Sequence, residues 1–158
     1  MVKENTKVGG KFTYQLVRDG AVIDTWEHEN LVPYDGLDHI LDVVLDGATA
    51  VANWYIGLYS NTYTPINSDV YAHIGSRFTE VNAQYSQATR PGWMPNAAGS
   101  VDGFHSNSDS RATFTFTSGA TIAGAIFVSA STKGDNAAAG AVLLAASAHS
   151  PSRTVLSG

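Results

Sequence analysis

The sequence predicts an all-β, mainly antiparallel fold, a jelly-roll-like sandwich or barrel with one short α-helix. Three observations predict it. Several segments alternate between polar and apolar residues, turn-forming residues recur at short intervals, and only one segment has helical spacing. Many short strands with frequent turns are typical of antiparallel sandwiches and barrels. At 158 residues, we expect a single domain over 1–158, with a flexible N-terminal segment over about residues 1–10.

The first predicted element is a β-hairpin. Lys11–Arg18 and Ala21–Glu27 alternate, and Asp19-Gly20 between them is a dipeptide that suits a two-residue type I′ turn. A tight turn of this kind predicts the following cross-strand pairs: Leu16 with Ile23, and Tyr14 with Thr25.

An amphipathic helix is predicted from about Asp35 to Asp46. Asp35 is expected to cap the first turn, and Gly47 to end the helix. Helical spacing places five apolar residues in one stripe along the helix: Leu37, Ile40, Leu41, Val44 and Leu45. The far side is expected to carry His39, Asp42 and Asp46, with His39 and Asp42 in a surface contact.

Further strands follow the helix. Trp54–Tyr59 is nearly continuous in apolar residues and is predicted to be buried on both faces. After an irregular stretch over 60–75, Arg77–Val81 is a short strand candidate. Arg111–Thr117 alternates with Ala112, Phe114 and Phe116 inward, and Thr121–Ser129 is interpreted as its partner. A last strand is predicted over Gly140–Ser147.

Composition limits the function classes. The nine lysines and arginines are scattered and the net charge is -5, so no direct nucleic-acid contact is expected. No segment is long and apolar enough to predict a membrane span. The charged fraction of 15% is low. It fits either a β-protein with short polar turns or a surface that lies against other protein.

No residue pattern indicates catalysis, a cofactor or a metal. The histidines show no metal-ligand spacing: His28, His39, His73, His105 and His149. Glycoside hydrolysis would need Glu27, Glu29 or Glu80 to converge in a cleft, and we interpret them as ordinary sheet-surface carboxylates. The loop His105–Ser110 carries oxygens at alternate positions but lacks the acidic density of a calcium loop. The sequence therefore predicts that the chain is not an enzyme and assigns no catalytic, cofactor or metal residue.

The aromatic residues leave one alternative open. Trp54 and Tyr55 are interpreted as packing residues, because aromatic rings supply large buried areas. Tyr63, Tyr71 and Trp93 lie in or near loops and could stack on sugars. The alternative function is therefore a carbohydrate-binding β-module on a virion, associated with a tail or head fibre, or on a cell surface.

Several short segments from Lys11 onward occur in a distinctive order. They are Asn30-Leu31-Val32, Gly36-Leu37 with the leucine-rich helix, Trp54-Tyr55-Ile56-Gly57-Leu58, Phe78-Thr79-Glu80-Val81, Tyr85, Thr89-Arg90-Pro91, Ala112-Thr113-Phe114-Thr115-Phe116, Gly124-Ala125-Ile126-Phe127 and Thr132-Lys133-Gly134. In this order they resemble small virion proteins of tailed bacteriophages of the capsid cement or decoration type.

The resemblance implies a function without catalytic residues. It implies a structural protein with a jelly-roll-like fold that is made in the cytoplasm of the bacterial host. That protein would bind the outer surface of the head, with the major capsid protein and further copies of itself, as a homodimer or homotrimer, as its partners. Two departures stand out: Phe78 replaces a frequent tryptophan, and relatives tend to continue into one more strand. The resemblance then implies that the strand is missing or that a neighbouring molecule completes the sheet.

Overall fold

The computed structural model describes residues 8–97, 99 and 102–157. Within these residues the chain forms six strands and one α-helix: β1 Lys11–Arg18, β2 Ala21–Glu29, α1 Tyr34–Leu45, β3 Trp54–Tyr59, β4 Gly92–Trp93, β5 Ala120–Val128 and β6 Leu143–Val155. A single 3₁₀ turn covers Tyr71–His73. β1 and β2 form a two-stranded sheet, and the other strands form a four-stranded antiparallel sheet in the order β4-β3-β5-β6. The all-β, mainly antiparallel fold with one short helix is confirmed, whereas the jelly-roll topology stays a prediction.

The predicted hairpin is present, but its predicted register is wrong. Asp19 and Gly20 form the two-residue turn with φ angles of 51° and 77°, as a type I′ turn requires. The strands then slip at a β-bulge between Leu16 and Val17. As a result Leu16 pairs with Asp24 and Tyr14 with Trp26, because the bulge adds Ile23 to β2 without a partner on β1.

The four-stranded sheet is covered on both faces. One face belongs to a cluster that includes Tyr59, Phe78 and Ile126, under the loops after β3 and β5. The other face belongs to a cluster around Ile56 and Ala125, covered by rings from β1 and from the segment before β5. Residues 56–59 of β3 are buried, which agrees with the prediction that this strand is buried on both faces.

Two predicted strands are absent as regular strands. Residues 77–81 form only two isolated bridges, Glu80 with Tyr59 and Phe78 with Ile74. Residues 111–117 also lack strand structure apart from a bridge between Tyr85 and Phe116. The inward alternation of Ala112, Phe114 and Phe116 is nevertheless confirmed. The predicted pairing with 121–129 is wrong, because β5 lies between β3 and β6 and both of its edges are occupied.

The remaining boundaries differ modestly from prediction. The last strand begins at Leu143 and continues to Val155, rather than covering 140–147. The helix covers Tyr34–Leu45, and Gly47 follows it with a φ of 69°, which is the left-handed stop that a glycine favours. The predicted flexible segment over residues 1–10 lies mostly outside the described residues. Gly10, which is described, exchanges hydrogen bonds with Asn30.

Candidate interaction surface

The outward side of α1 is apolar. Tyr34, Leu41, Val44 and Leu45 are 57%, 51%, 72% and 73% exposed. Their spacing of seven, three and one residues places them on one side of the helix. Large apolar side chains that share one exposed face mark sites that bind other molecules. We call these four residues the helix stripe.

The packed side of α1 is set by a glycine. Gly36 is buried, and a Cβ atom on it would clash with the carbonyl oxygen of Leu144 in β6. Only glycine allows the helix backbone to approach the strand this closely. The same side carries His39, whose ring lies 5.7 Å from that of Trp54 in an edge-to-face arrangement. His39 therefore does not lie on the far side with Asp42, and no contact between the two is found in the described residues.

Asp35 anchors the helix rather than capping it. The position before the first turn is occupied by Pro33, and no side chain among the described residues caps this end of α1. The Asp35 carboxylate instead accepts hydrogen bonds from the backbone amides of Tyr71, at 3.2 Å, and Leu143, at 2.7 Å. One side chain thus ties α1 to the 3₁₀ turn and to the start of β6, so the helix stripe is presented on a fixed element.

Aspartates border the helix stripe on one flank. Asp38, Asp42 and Asp46 follow each other at intervals of four residues and are exposed, so they line up along the helix. None of them forms an ion pair with a described residue, and α1 contains no lysine or arginine. The outward face is therefore apolar along its centre and negatively charged along one border.

The β1–β2 hairpin lies against β6 through aromatic rings. His149 of β6 is 7% exposed, and its ring contacts those of Tyr14 at 4.3 Å and His28 at 4.9 Å. Tyr14 stacks on Trp26 at 5.4 Å. Burial and the neighbouring His28 lower the pKa of His149 to about 4, so its imidazole is neutral at pH 7.

Beneath the loops on one face of the sheet, Arg90 is fully buried. Its guanidinium donates to both oxygens of Glu80 at 2.8 Å, to the Tyr71 hydroxyl at 3.0 Å, and to two carbonyl oxygens, those of Ala130 at 2.8 Å and Asp135 at 2.9 Å. Burial is the largest influence and lowers the pKa of Arg90, but the hydrogen bonds and charge attraction of Glu80 and Tyr71 together outweigh it, so that the pKa is raised. The Arg90 guanidinium thus joins four chain segments.

A second buried carboxylate, Asp69, holds the loop after β3. It accepts hydrogen bonds from the Tyr63 hydroxyl at 2.9 Å, from the Ile66 amide at 2.8 Å and from the Arg77 guanidinium at 2.8 Å. His73 also lies 3.3 Å from it. With Arg90, this cluster makes the loops a fixed part of the scaffold.

The carboxylates considered for glycoside hydrolysis have separate surroundings. Glu27 is on the exposed face of the hairpin, where it accepts from Lys11 and Thr13 at 2.8 Å. Glu80 is held by Arg90, and its Oε2 also accepts from the Gly134 amide at 2.8 Å. Glu29 ends β2, with its backbone oxygen bonded to the Ser147 hydroxyl. Glu80 is thus a structural partner of Arg90 rather than the surface carboxylate that was predicted.

The five histidines do not form a single group. Of the histidines, His28 and His149 stack together, while His105 lies 5.5 Å from Trp93. Within the described part of the chain, no three histidine, aspartate or glutamate side chains converge. The loop over 105–110 is instead tied to Asn96, whose side chain donates to the Ser108 hydroxyl at 2.9 Å and accepts from the Asp109 amide at 3.1 Å.

The aromatic residues considered for sugar binding are mostly inside. Tyr71 is 3% exposed, and the hydroxyl of the partly buried Tyr63 is bonded to Asp69. Trp93 is partly buried and packs 5.3 Å from Phe127. The rings of Tyr63 and Tyr71 therefore contribute to packing and to the polar clusters under the loops.

Sequence reasoning missed Arg90, Asp69 and Gly36. Arg90 has partners distant along the chain, such as Ala130 and Asp135. Asp69 has its partners nearby, between Tyr63 and Arg77, but at no spacing that a sequence pattern singles out. A weak signal was present for Arg90, since Thr89-Arg90-Pro91 places a charge inside a turn. Gly36 within an apolar helix was the clearer signal, because a glycine in a helix interior often marks a close approach.

Comparisons with family models, with curated proteins and with solved structures find no match. None of the helices in the described residues has the length and apolar character needed to cross a membrane.

Proposed function

We propose that this chain is a structural virion protein of a tailed bacteriophage, a cement or decoration protein on the outer surface of the head. The observation that carries the proposal is the helix stripe. A chain that fixes four large apolar side chains on one exposed face is stabilised when another protein covers them. The resemblance described above supplies the identity of that protein, the major capsid protein.

The construction of the scaffold supports a binding role. Asp35 and Gly36 fix α1 on β6, and the Arg90 and Asp69 clusters fix the loops on the same sheet. A rigid partner loses little conformational entropy on association, so more of its contact energy appears as affinity. On a particle, copies that bridge neighbouring capsomers would gain further through multivalency.

Quantitative mass spectrometry of purified particles tests this proposal. A cement protein is present in many copies, in a fixed ratio to the major capsid protein, and assembles as a dimer or trimer at symmetry-related sites. Absence from the particles, or a few tail-associated copies, would contradict the proposal. Specific retention on a glycan array that is lost on Trp93→Ala would favour the carbohydrate-binding alternative instead.

A further inference from the structure

We infer that α1 docks into an apolar depression on a partner protein whose border carries lysine or arginine side chains. The inference rests on the proposed protein-binding function and adds the chemistry of the partner surface. The helix stripe supplies the apolar part, and the aspartate flank (Asp38, Asp42, Asp46) supplies the polar border.

The apolar part has the form of a helix that enters a groove. Tyr34 and Leu45 stand at opposite ends of α1, and a helix of 12 residues is about 18 Å long. Amphipathic helices that bind in grooves use anchors spaced by three, four and seven residues. Tyr34, Leu41, Val44 and Leu45 follow this spacing. Because the opposite side of α1 is fixed on β6 by Gly36, the stripe is presented without rearrangement.

The charged border decides what kind of groove fits. Burying an apolar stripe brings the adjoining carboxylates to the rim of the interface, where unpaired like charges oppose binding and complementary charges favour it. Since none of the three aspartates is paired within the described residues, all three carboxylates are available to cations of the other molecule. Lysine or arginine at the border of the groove provides them.

The same charges argue against two other occupants. A second copy that presents the same face brings three more aspartates and no cation from α1. An anionic lipid surface repels the aspartate flank, whereas helices that lie on membranes carry lysine and arginine on their polar side.

Two synthetic peptides test the inference on the full chain. Each is an 18-residue amphipathic helix with a leucine stripe, one bordered by lysines and its twin by glutamates. They are titrated into the isotope-labelled protein, and amide chemical shifts are followed. We expect the lysine peptide to shift the amides of α1 and to bind at least about tenfold more tightly than the glutamate peptide.

Matched variants separate the two parts of the surface. Val44→Ser with Leu45→Ser should abolish the shifts in α1. Asp42→Asn with Asp46→Asn should weaken the binding of the lysine peptide about fivefold. The same pair of substitutions should not weaken the binding of the glutamate peptide. These aspartates are outside the first turn, so their loss does not weaken the helix through its dipole. Asp19→Asn, in the turn of the β1–β2 hairpin, is the control and should change nothing.

Five results would overturn the inference, four with the peptides or the free chain and one with vesicles. They are equal binding of the two peptides, shifts confined to other elements, no binding at millimolar peptide, and a dimer of the chain that Leu45→Ser dissociates. Partition onto phosphatidylcholine–phosphatidylglycerol vesicles that requires Leu45 would also overturn it. Equal binding leaves the cement function intact, whereas absence of the chain from virions removes that function without affecting the peptide result.

Discussion

At the scale of single residues, Arg90 shows how a charge can be buried without being left unpaired. A guanidinium has five N–H groups, and the hydrogen bonds to Glu80, Tyr71, Ala130 and Asp135 use all of them. The Glu80 side chain is 2% exposed, so both charges of the pair are desolvated. Removal of either partner leaves the other charge buried, which is far more costly than the loss of an exposed pair.

We therefore predict that Arg90→Met lowers the free energy of unfolding by about 3–5 kcal/mol. Urea denaturation followed by tryptophan fluorescence measures the change. Arg18→Met, at the exposed end of β1, is the matched control and should stay within about 0.5 kcal/mol of the wild type. A loss below about 1 kcal/mol for Arg90→Met would contradict the structural role assigned to the pair.

His149 links stability to pH at the contact between hairpin and β6. Its pKa in the folded state, about 4, is below the value of about 6.5 in an unfolded chain. The unfolded state therefore binds the proton more readily. The contribution of His149 to the free energy of unfolding is fully present above pH 6.5 and is lost as the pH falls towards 4. At pH 4 the free energy of unfolding has fallen by about 3 kcal/mol on this account.

The difference between the wild type and His149→Phe isolates this effect from the carboxylates that titrate in the same range. Free energies of unfolding are measured for both proteins at intervals from pH 7.5 to 4. The advantage of the wild type should shrink steadily below pH 6.5. Parallel curves over the whole range would show that His149 does not titrate differently in the two states.

At the scale of elements, the position of α1 depends on Gly36. Gly36→Ala would place a Cβ atom against the backbone of Leu144, and backbone cannot rotate away as a side chain can. We predict a loss of at least about 2 kcal/mol in the free energy of unfolding. Gly92→Ala is the control, because a Cβ there meets no atom of a described residue within 4 Å. Equal effects of the two substitutions would mean that α1 is not held in this close contact.

Substitutions in the helix stripe, unlike Gly36→Ala, should have little effect on the free energy of unfolding. Val44→Ser with Leu45→Ser removes two exposed apolar side chains, so the free energy of unfolding should change by less than about 0.5 kcal/mol per site. Thermal unfolding of the isolated protein measures this. A loss of several kcal/mol would show that the stripe is part of the core and is not available to a partner.

How much the sequence could predict also differs between elements. Asp19-Gly20 located the hairpin, because its turn chemistry is local, but the bulge at Ile23 depends on packing and shifted the register. The helix boundaries were predicted within one residue, since periodicity and Gly47 are local signals. The side of α1 that packs against β6 was not predicted, because the approach of Gly36 to Leu144 is a contact between distant segments.

The same distinction applies to the segment over 111–117 and to the polar clusters. Alternation correctly placed Phe114 and Phe116 inward, yet pairing depends on which neighbours compete for the edge, and β3 and β6 occupy both edges of β5. The partners of Arg90 come from distant segments, so no local pattern could have found this buried cluster.

At the scale of the whole molecule, stability and binding use different surfaces. Both faces of the four-stranded sheet are covered from within the chain, and the buried ion pair holds the loops over one of them. The helix stripe and its aspartate flank contribute little to that core. A protein built in this way can add a rigid binding face to a large assembly without changing its own fold.

A cryo-electron microscopy reconstruction of the phage head tests the central claim most directly. We predict density for this chain at regular positions on the outer surface. The helix stripe should be buried against the capsid, and lysine or arginine of the capsid should lie beside Asp42 and Asp46. A head surface without this chain, or one on which α1 faces solvent in every copy, would contradict the account.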